Sequence, residues 1–131
     1  QVPATNYFAC VQSTSPFLTS HFLKMGFNKI ESKVYNSVIS VSENSSFFWD
    51  DEHKPINFDM NRKPRTQDMN KWYTENGAFY ITSKEKFLET KNIINEKVGF
   101  IVMPKIMSFE IDTFEDLNII ESLIQSGAVK I

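Results

Sequence analysis

The sequence predicts an α/β domain, a sheet flanked by helices. Short apolar runs rich in β-branched residues recur at 7–11, 37–41, 78–81 and 98–103. Helix-period stripes alternate with these runs, and no internal repeat or low-complexity segment interrupts the pattern. The 131 residues, 41% hydrophobic and 23% charged, suit one domain with a substantial core.

Tyr7-Phe8-Ala9-Cys10-Val11 is continuously apolar, as expected of a strand buried on both faces, with Cys10 a small buried hydrophobe. The polar loop Gln12-Ser13-Thr14-Ser15-Pro16 ends it. Thr19 is placed to cap a helix whose stripe is Phe22, Leu23, Phe27 and Ile30. A turn at 33–36 leads to the second strand. From Ser42 to Asn70 the character changes: Phe47-Phe48-Trp49 and Ile56-Asn57-Phe58 are separated by charge and proline. This stretch reads as an excursion, a β-hairpin or arm, whose aromatics suit a subunit contact. The pair Trp72-Tyr73 and an Asn76-Gly77 turn precede the third strand. Ser83 caps a short helix through Thr90, with Phe87 and Leu88 inward, and the fourth strand follows. Ser108 to Asp112 is a short extended piece. Thr113-Phe-Glu-Asp116 is similar to a capping box and opens a helix striped by Leu117, Ile119, Ile120, Leu123 and Ile124, which Gly127 ends.

A net charge of −2 recommends neither a nucleic-acid backbone nor an anionic membrane as partner. No apolar run approaches the ~20 residues that span a bilayer. Gln1 to Asn6 carries no basic region followed by an apolar core, so no signal peptide is expected, and the cytoplasm is the default compartment. One cysteine excludes an internal disulfide or a cysteine-rich zinc site. His21 and His53 have no partner pattern, Asp50-Asp51-Glu52 reads as a solvated turn, and the four isolated glycines form no phosphate loop.

Three places carry chemical interest. Gln12 to Pro16 follows a strand directly, where open α/β sheets bind ligands; its amide and hydroxyls suit a base, sugar or phosphate, and an ordinary strand-to-helix loop would look the same. Glu110 and Asp112 alternate in the extended piece and so share a face with Ser108. Two such carboxylates suit Mg²⁺, and equally Asp112 with Thr113 suits a helix start. The third place is a basic turn holding the only two arginines, Arg62 and Arg65, whose planar fork grips carboxylate or phosphate as lysine cannot.

In order along the chain these segments resemble the N-acylneuraminate cytidylyltransferases, or CMP-sialic acid synthetases. Gln12-Ser13-Thr14-Ser15-Pro16 is similar to the family's Q-P-T-S-P, with Ser13 in the proline position. Asn57-Phe58-Asp59 and then Arg62-Lys63-Pro64-Arg65-Thr66-Gln67-Asp68 resemble N-x-x-x-x-R-P-R-R-Q-D. Tyr73-Thr74-Glu75-Asn76-Gly77-Ala78-Phe79-Tyr80 resembles Y-E-N-G-S-F-Y with one extra residue. Ser108-Phe109-Glu110-Ile111-Asp112-Thr113 is similar to S-[IV]-D-I-D-T, with Glu110 where aspartate is usual.

The resemblance implies part of a three-layer sandwich of the nucleotide-diphospho-sugar-transferase type. Its sheet would be mixed and mostly parallel, with a dimerisation arm inserted at about 42–72. It implies an enzyme that joins CTP to a sialic-acid-type 2-keto sugar acid, releasing pyrophosphate, with CTP and the sugar as partners. Gln12 and Arg65 would act in catalysis. Gln12, Ser15, Arg65, Asn76, Tyr80, Ile93 and Ile94 would bind substrate, and Glu110 and Asp112 would hold Mg²⁺. Arg65 would reach into the other subunit's site of a homodimer. The family's N-terminal A-R-x-x-S-K loop for the CTP phosphates has no counterpart here, so the chain is expected to represent the C-terminal part and to be inactive alone. The alternatives are a remnant that dimerises with a full-length homologue, and an enzyme for another 2-keto acid sugar (legionaminic, pseudaminic or Kdo-type). For an animal-type enzyme the nucleus is the alternative compartment.

Overall fold

The structure, a computed structural model, describes residues 6–129; Gln1 to Thr5, most of the stretch read above for a leader, lie outside the described residues. The elements are β1 (Tyr7–Val11), α1 (Ser20–Glu31), β2 (Ser37–Asn44), β3 (Trp72–Ser83), α2 (Lys84–Thr90), β4 (Val98–Val102) and α3 (Phe114–Gln125). The expected alternation of strands and helices holds.

The strands form one sheet in the order β1-β3-β2-β4. β3 runs antiparallel to both β1 and β2, and β2 is parallel to β4. Three strands therefore share a direction and β3 opposes them, which makes the sheet mixed. α1 covers one face. Phe22, Gly26 and Ile30 recur four residues apart and are buried, as a helix lying on a sheet requires. Gly26 permits the close approach: a Cβ there would stand 2.7 Å from Ile81 Cδ1 and 2.9 Å from the Phe79 ring. Phe79, Ile81, Val38 and Ile101 complete this core. Phe8 points to the opposite face by alternation and stacks on Phe87 of α2, ring centroids 5.4 Å apart, so helices lie on both sides of the sheet. A second cluster of Phe17, Ile120 and Val129 fastens α3 beside the loop that follows β1.

The helix starts fall where local chemistry puts them. Ser83 Oγ accepts from the Lys86 N–H. Thr113 and Asp116 form a reciprocal capping box, with Asp116 in the usual glutamate position. Thr19 occupies the N-cap of α1 in an extended conformation but makes no side-chain cap bond.

Three expectations are corrected. Leu88, expected inward with Phe87, is 50% exposed. β1 is not buried on both faces. Among the described residues it is an edge strand paired only with β3, and Ala9, Cys10 and Val11 are exposed. An apolar run shows that a segment pairs well, not how many neighbours it has. Nor is Asn76-Gly77 a turn that starts a strand. β3 begins at Trp72 and runs through both residues as a bulge. Ile39 faces Tyr80 and Val41 already faces Glu75, so residues 76–79 stand opposite Ser40 alone. Ser40 pins the bulge: its Oγ accepts from the Phe79 N–H at 3.0 Å and donates to the Phe79 carbonyl at 3.2 Å. Ser40→Ala is expected to lower stability by about 1–3 kcal/mol, because it strands buried backbone groups. Urea denaturation checks this.

The 45–71 excursion carries one isolated bridge, Trp49 to Pro55, and two short 3-10 turns, Met60–Arg62 and Thr66–Asp68. Phe58 packs edge-on against Phe47 and Trp49, and Lys63 sits over the Phe47 ring. His21 and His53 are exposed, as is the 50–52 turn. No helix among the described residues is long and apolar enough to cross a membrane.

Candidate functional site

Three segments meet where β1 ends and β3 bulges. The Gln12 N–H donates to the Ala78 carbonyl at 3.2 Å, laying the polar loop along the bulge. The Ile111 N–H donates to the Thr14 carbonyl at 2.9 Å, bringing residues 108–112 alongside the same loop. Asn76 Nδ2 donates to Ser108 Oγ at 2.9 Å, tying the bulge to that segment.

Gly77 is at the centre. Its φ of +65° suits glycine, and the space beside its Cα is occupied from two sides. A Cβ there would collide with Glu110 Oε1 and stand 2.8 Å from Gln12 Oε1. Two of the sequence-expected site residues thus direct side-chain oxygens at one point over bare backbone. Asp112 lies near enough to raise the Glu110 carboxyl above its ordinary range, second to the burial that is the main cause. Neither carboxylate is ion-paired among the described residues.

The two readings of Asp112 separate here. The start of α3 is satisfied by Thr113 and Asp116. The Asp116 carboxylate accepts from the Thr113 hydroxyl and N–H and from the Asp112 N–H, and these bonds hold its carboxyl below the usual range. The cap uses the backbone of Asp112 and not its carboxylate. Two close, unpaired carboxylates and an amide oxygen form a hard-oxygen donor set. Among the described residues no group of three or more His, Cys, Asp or Glu is arranged to hold a metal. What these oxygens offer is at most two carboxylates and one amide, and Mg²⁺ is the kind of ion that takes one or two carboxylates and keeps several waters.

Tyr80 lies opposite Cys10 and Ile39 in the sheet. Its hydroxyl donates to Glu75 Oε2 at 3.2 Å, and burial, then Glu75, raise the phenol above its ordinary range. With its proton directed at Glu75, Tyr80 offers oxygen lone pairs to a ligand. Ser15 is buried, and its Oγ has no hydrogen-bond partner. Ile93 and Ile94 belong to a loop anchored at the start of β2: the Ile93 carbonyl accepts from Ser37 Oγ, and Ile94 lines a polar groove with Asn36, Thr90 and Asn95. Asn95 of this loop bonds Thr82, which shares a face with Tyr80 and lies about 7 Å along the strand from it. Arg65 is 76% exposed and pairs with Asp68 through Nε at 2.7 Å. Among the described residues its ion pair is with Asp68, not with Glu110. Asn76, expected to bind substrate, is 4% exposed, and its amide is engaged with Ser108 and the Ala78 N–H. It lies on the face opposite Glu75, by alternation along the strand. Sequence reading did not single out Gly77, Glu75 or Ser108 as site residues. The signal available was the Glu-Asn-Gly run itself, taken for a turn.

No family model matches the chain. In sequence the chain is similar to pseudaminic acid and N-acylneuraminate cytidylyltransferases. It is 26% identical over 119 residues to the pseudaminic acid cytidylyltransferase of Campylobacter jejuni subsp. jejuni serotype O:23/36, covering 86% of this chain and 51% of that protein. It is 26% identical over 129 residues to N-acylneuraminate cytidylyltransferase B of Danio rerio, covering 93% and 30%. It is 28% identical over 130 residues to the N-acylneuraminate cytidylyltransferase of Streptococcus agalactiae serotype III, covering 94% and 32%. The chain thus spans about half the length of the Campylobacter relative and about a third of the other two. In structure it is similar to 4-diphosphocytidyl-2C-methyl-D-erythritol synthase from Anaerococcus prevotii, with a TM-score of 0.64 at 15% identity, covering 95% of this chain and 61% of that one. That likeness concerns the fold.

Proposed function

We propose that the whole protein transfers the cytidylyl group of CTP to a sialic-acid-type 2-keto sugar acid, and that this chain supplies the cation- and sugar-binding side of the site. The observation that carries this reading is the convergence of Gln12 and Glu110 over Gly77 beside the unpaired Asp112, in a chain whose relatives are cytidylyltransferases. The anomeric hydroxyl oxygen forms a bond to the α-phosphorus and gives up its proton to solvent, the bond from that phosphorus to the bridging oxygen breaks, and pyrophosphate leaves. Such chemistry depends on positioning and charge neutralisation. Gln12, Glu110 and Asp112 would hold Mg²⁺, which neutralises phosphate charge when bound. Ser15 offers a hydroxyl unclaimed by the protein. Tyr80 accepts from a donor on the sugar, and Ile93 and Ile94 form an apolar wall for its N-acyl group.

The reaction is tested by offering the whole protein, rather than residues 1–131 alone, CTP, Mg²⁺ and a panel of N-acetylneuraminic, pseudaminic, legionaminic and Kdo-type acids. Formation of a CMP-sugar and pyrophosphate with the sialic type supports the reading; no product with any acid contradicts it. Turnover with pseudaminic acid alone would favour the second substrate reading, which the Campylobacter relative supports.

We also propose a homodimer in which Arg65 acts on the sugar carboxylate in the neighbouring site. Its exposed guanidinium, and the exposed Trp49, Ile56 and Met60 on the same excursion, support this. Sedimentation is expected to give a dimer, and Trp49→Ser with Ile56→Ser a monomer. A monomeric unsubstituted protein contradicts it.

A further inference from the structure

We propose that Asn76 is a positioning residue for the cation site: it holds Ser108 so that Glu110 is delivered over Gly77. This rests on reading Gln12, Glu110 and Asp112 as cation donors.

Asn76 is too buried to meet a ligand, and both ends of its amide are engaged. Nδ2 donates to Ser108 Oγ at 2.9 Å and Oδ1 accepts from the Ala78 N–H at 3.4 Å. Ser108 Oγ in turn donates to the Pro104 carbonyl at 3.0 Å, so its proton and one lone pair are both assigned. Glu110 is two residues beyond Ser108. Backbone bonds hold the segment on either side, Ser108 N–H to the Lys105 carbonyl and Ile111 N–H to the Thr14 carbonyl. The Asn76 amide is the side-chain tie from the bulge to this segment, and it springs from the residue next to Gly77. The bulge therefore does two jobs with adjacent residues. Gly77 leaves room for the donor oxygens, and Asn76 fixes the strap that carries one of them. Mg²⁺ demands near-ideal octahedral geometry, so loosening the strap weakens binding even though no donor is lost.

The probe is Mn²⁺ alone, titrated into the protein and followed by electron paramagnetic resonance. Asn76→Ala is expected to weaken Mn²⁺ binding about 10-fold, the low end of what losing a partner bonded directly to a ligand costs, because Asn76 acts through Ser108. Ser108→Ala is expected to do the same, and the double variant to be no worse than either single one, because both cut one link. Ser108→Thr keeps the hydroxyl and is expected to keep the affinity. Asn95→Ala is the control. Asn95 is also buried and hydrogen-bonded, to Thr82 and to the Asn92 carbonyl, on the loop anchored at the start of β2. Its loss is expected to lower Tm without changing Mn²⁺ affinity. If Asn76→Ala fails to fold, Ser108→Ala at its half-buried position carries the test. Unsubstituted protein that binds no Mn²⁺ overturns the cation reading and this inference with it. Unsubstituted protein that binds, with Asn76→Ala and Ser108→Ala binding equally well or no worse than Asn95→Ala, overturns this inference alone.

Discussion

Replacing Gly77 with alanine is expected to weaken Mn²⁺ binding at least 100-fold while lowering folding stability by only about 1–2 kcal/mol. The stability loss comes from backbone conformation: at φ +65° an L side chain is strained. The steric part is small for the fold, because the atoms met by the new Cβ are the far ends of the Glu110 and Gln12 side chains, which swing aside. Swinging aside is what removes the site, since both displaced atoms are its donors. Gly127→Ala separates the two effects. Its φ is +70° and a Cβ there meets nothing within 4 Å. It is expected to lose comparable stability in urea denaturation and to leave Mn²⁺ binding intact.

Glu110→Gln is expected to abolish Mn²⁺ binding and, without metal, to raise Tm at neutral pH. The sign follows from the direction of the shift. Burial and then Asp112 raise the Glu110 carboxyl above 4.5, so folding favours the protonated form. The charged form is therefore a destabilising element, fully present once pH is above the raised folded-state value. It fades as pH falls through that value and is gone below 4.5, where folded and unfolded chains are both protonated. The Tm advantage of Glu110→Gln is thus largest at pH 7 and vanishes in acid. Saturating Mn²⁺ reverses the ranking, because the metal stabilises only the protein that binds it. A variant that is less stable than its parent at pH 7 without metal would contradict the electrostatic account of Glu110. Thermal unfolding from pH 4 to 8, with and without Mn²⁺, reads both effects.

The parts of this fold that were legible in the sequence are those settled within a few residues. The Thr113–Asp116 box and the Ser83 cap are local hydrogen bonds between near neighbours, and the structure places them as expected. The alternation of strand and helix was equally plain. What distant residues decide was not. Cys10 and Val11 look like core, yet the strand they form has one neighbour among the described residues. Asn76-Gly77 reads the same in a turn and in a bulge, since both need a left-handed residue; Ser40, on another strand, makes the difference. The candidate site shows the same division. Glu110 and Asp112 were visible as alternating carboxylates. Glu75 as the acceptor of the Tyr80 proton, and Ser108 as the anchor of Asn76, depend on pairings that only the folded chain creates.

The central claim is that Gln12, Glu110 and Asp112 form one divalent-cation site over Gly77. The most direct test is anomalous X-ray scattering from crystals of the protein grown with Mn²⁺. The account predicts a peak bounded by Gln12 Oε1 and the carboxylates of Glu110 and Asp112, at oxygen-ligand distances. No peak there, or one only on other carboxylates such as Asp50 and Glu52, would contradict it.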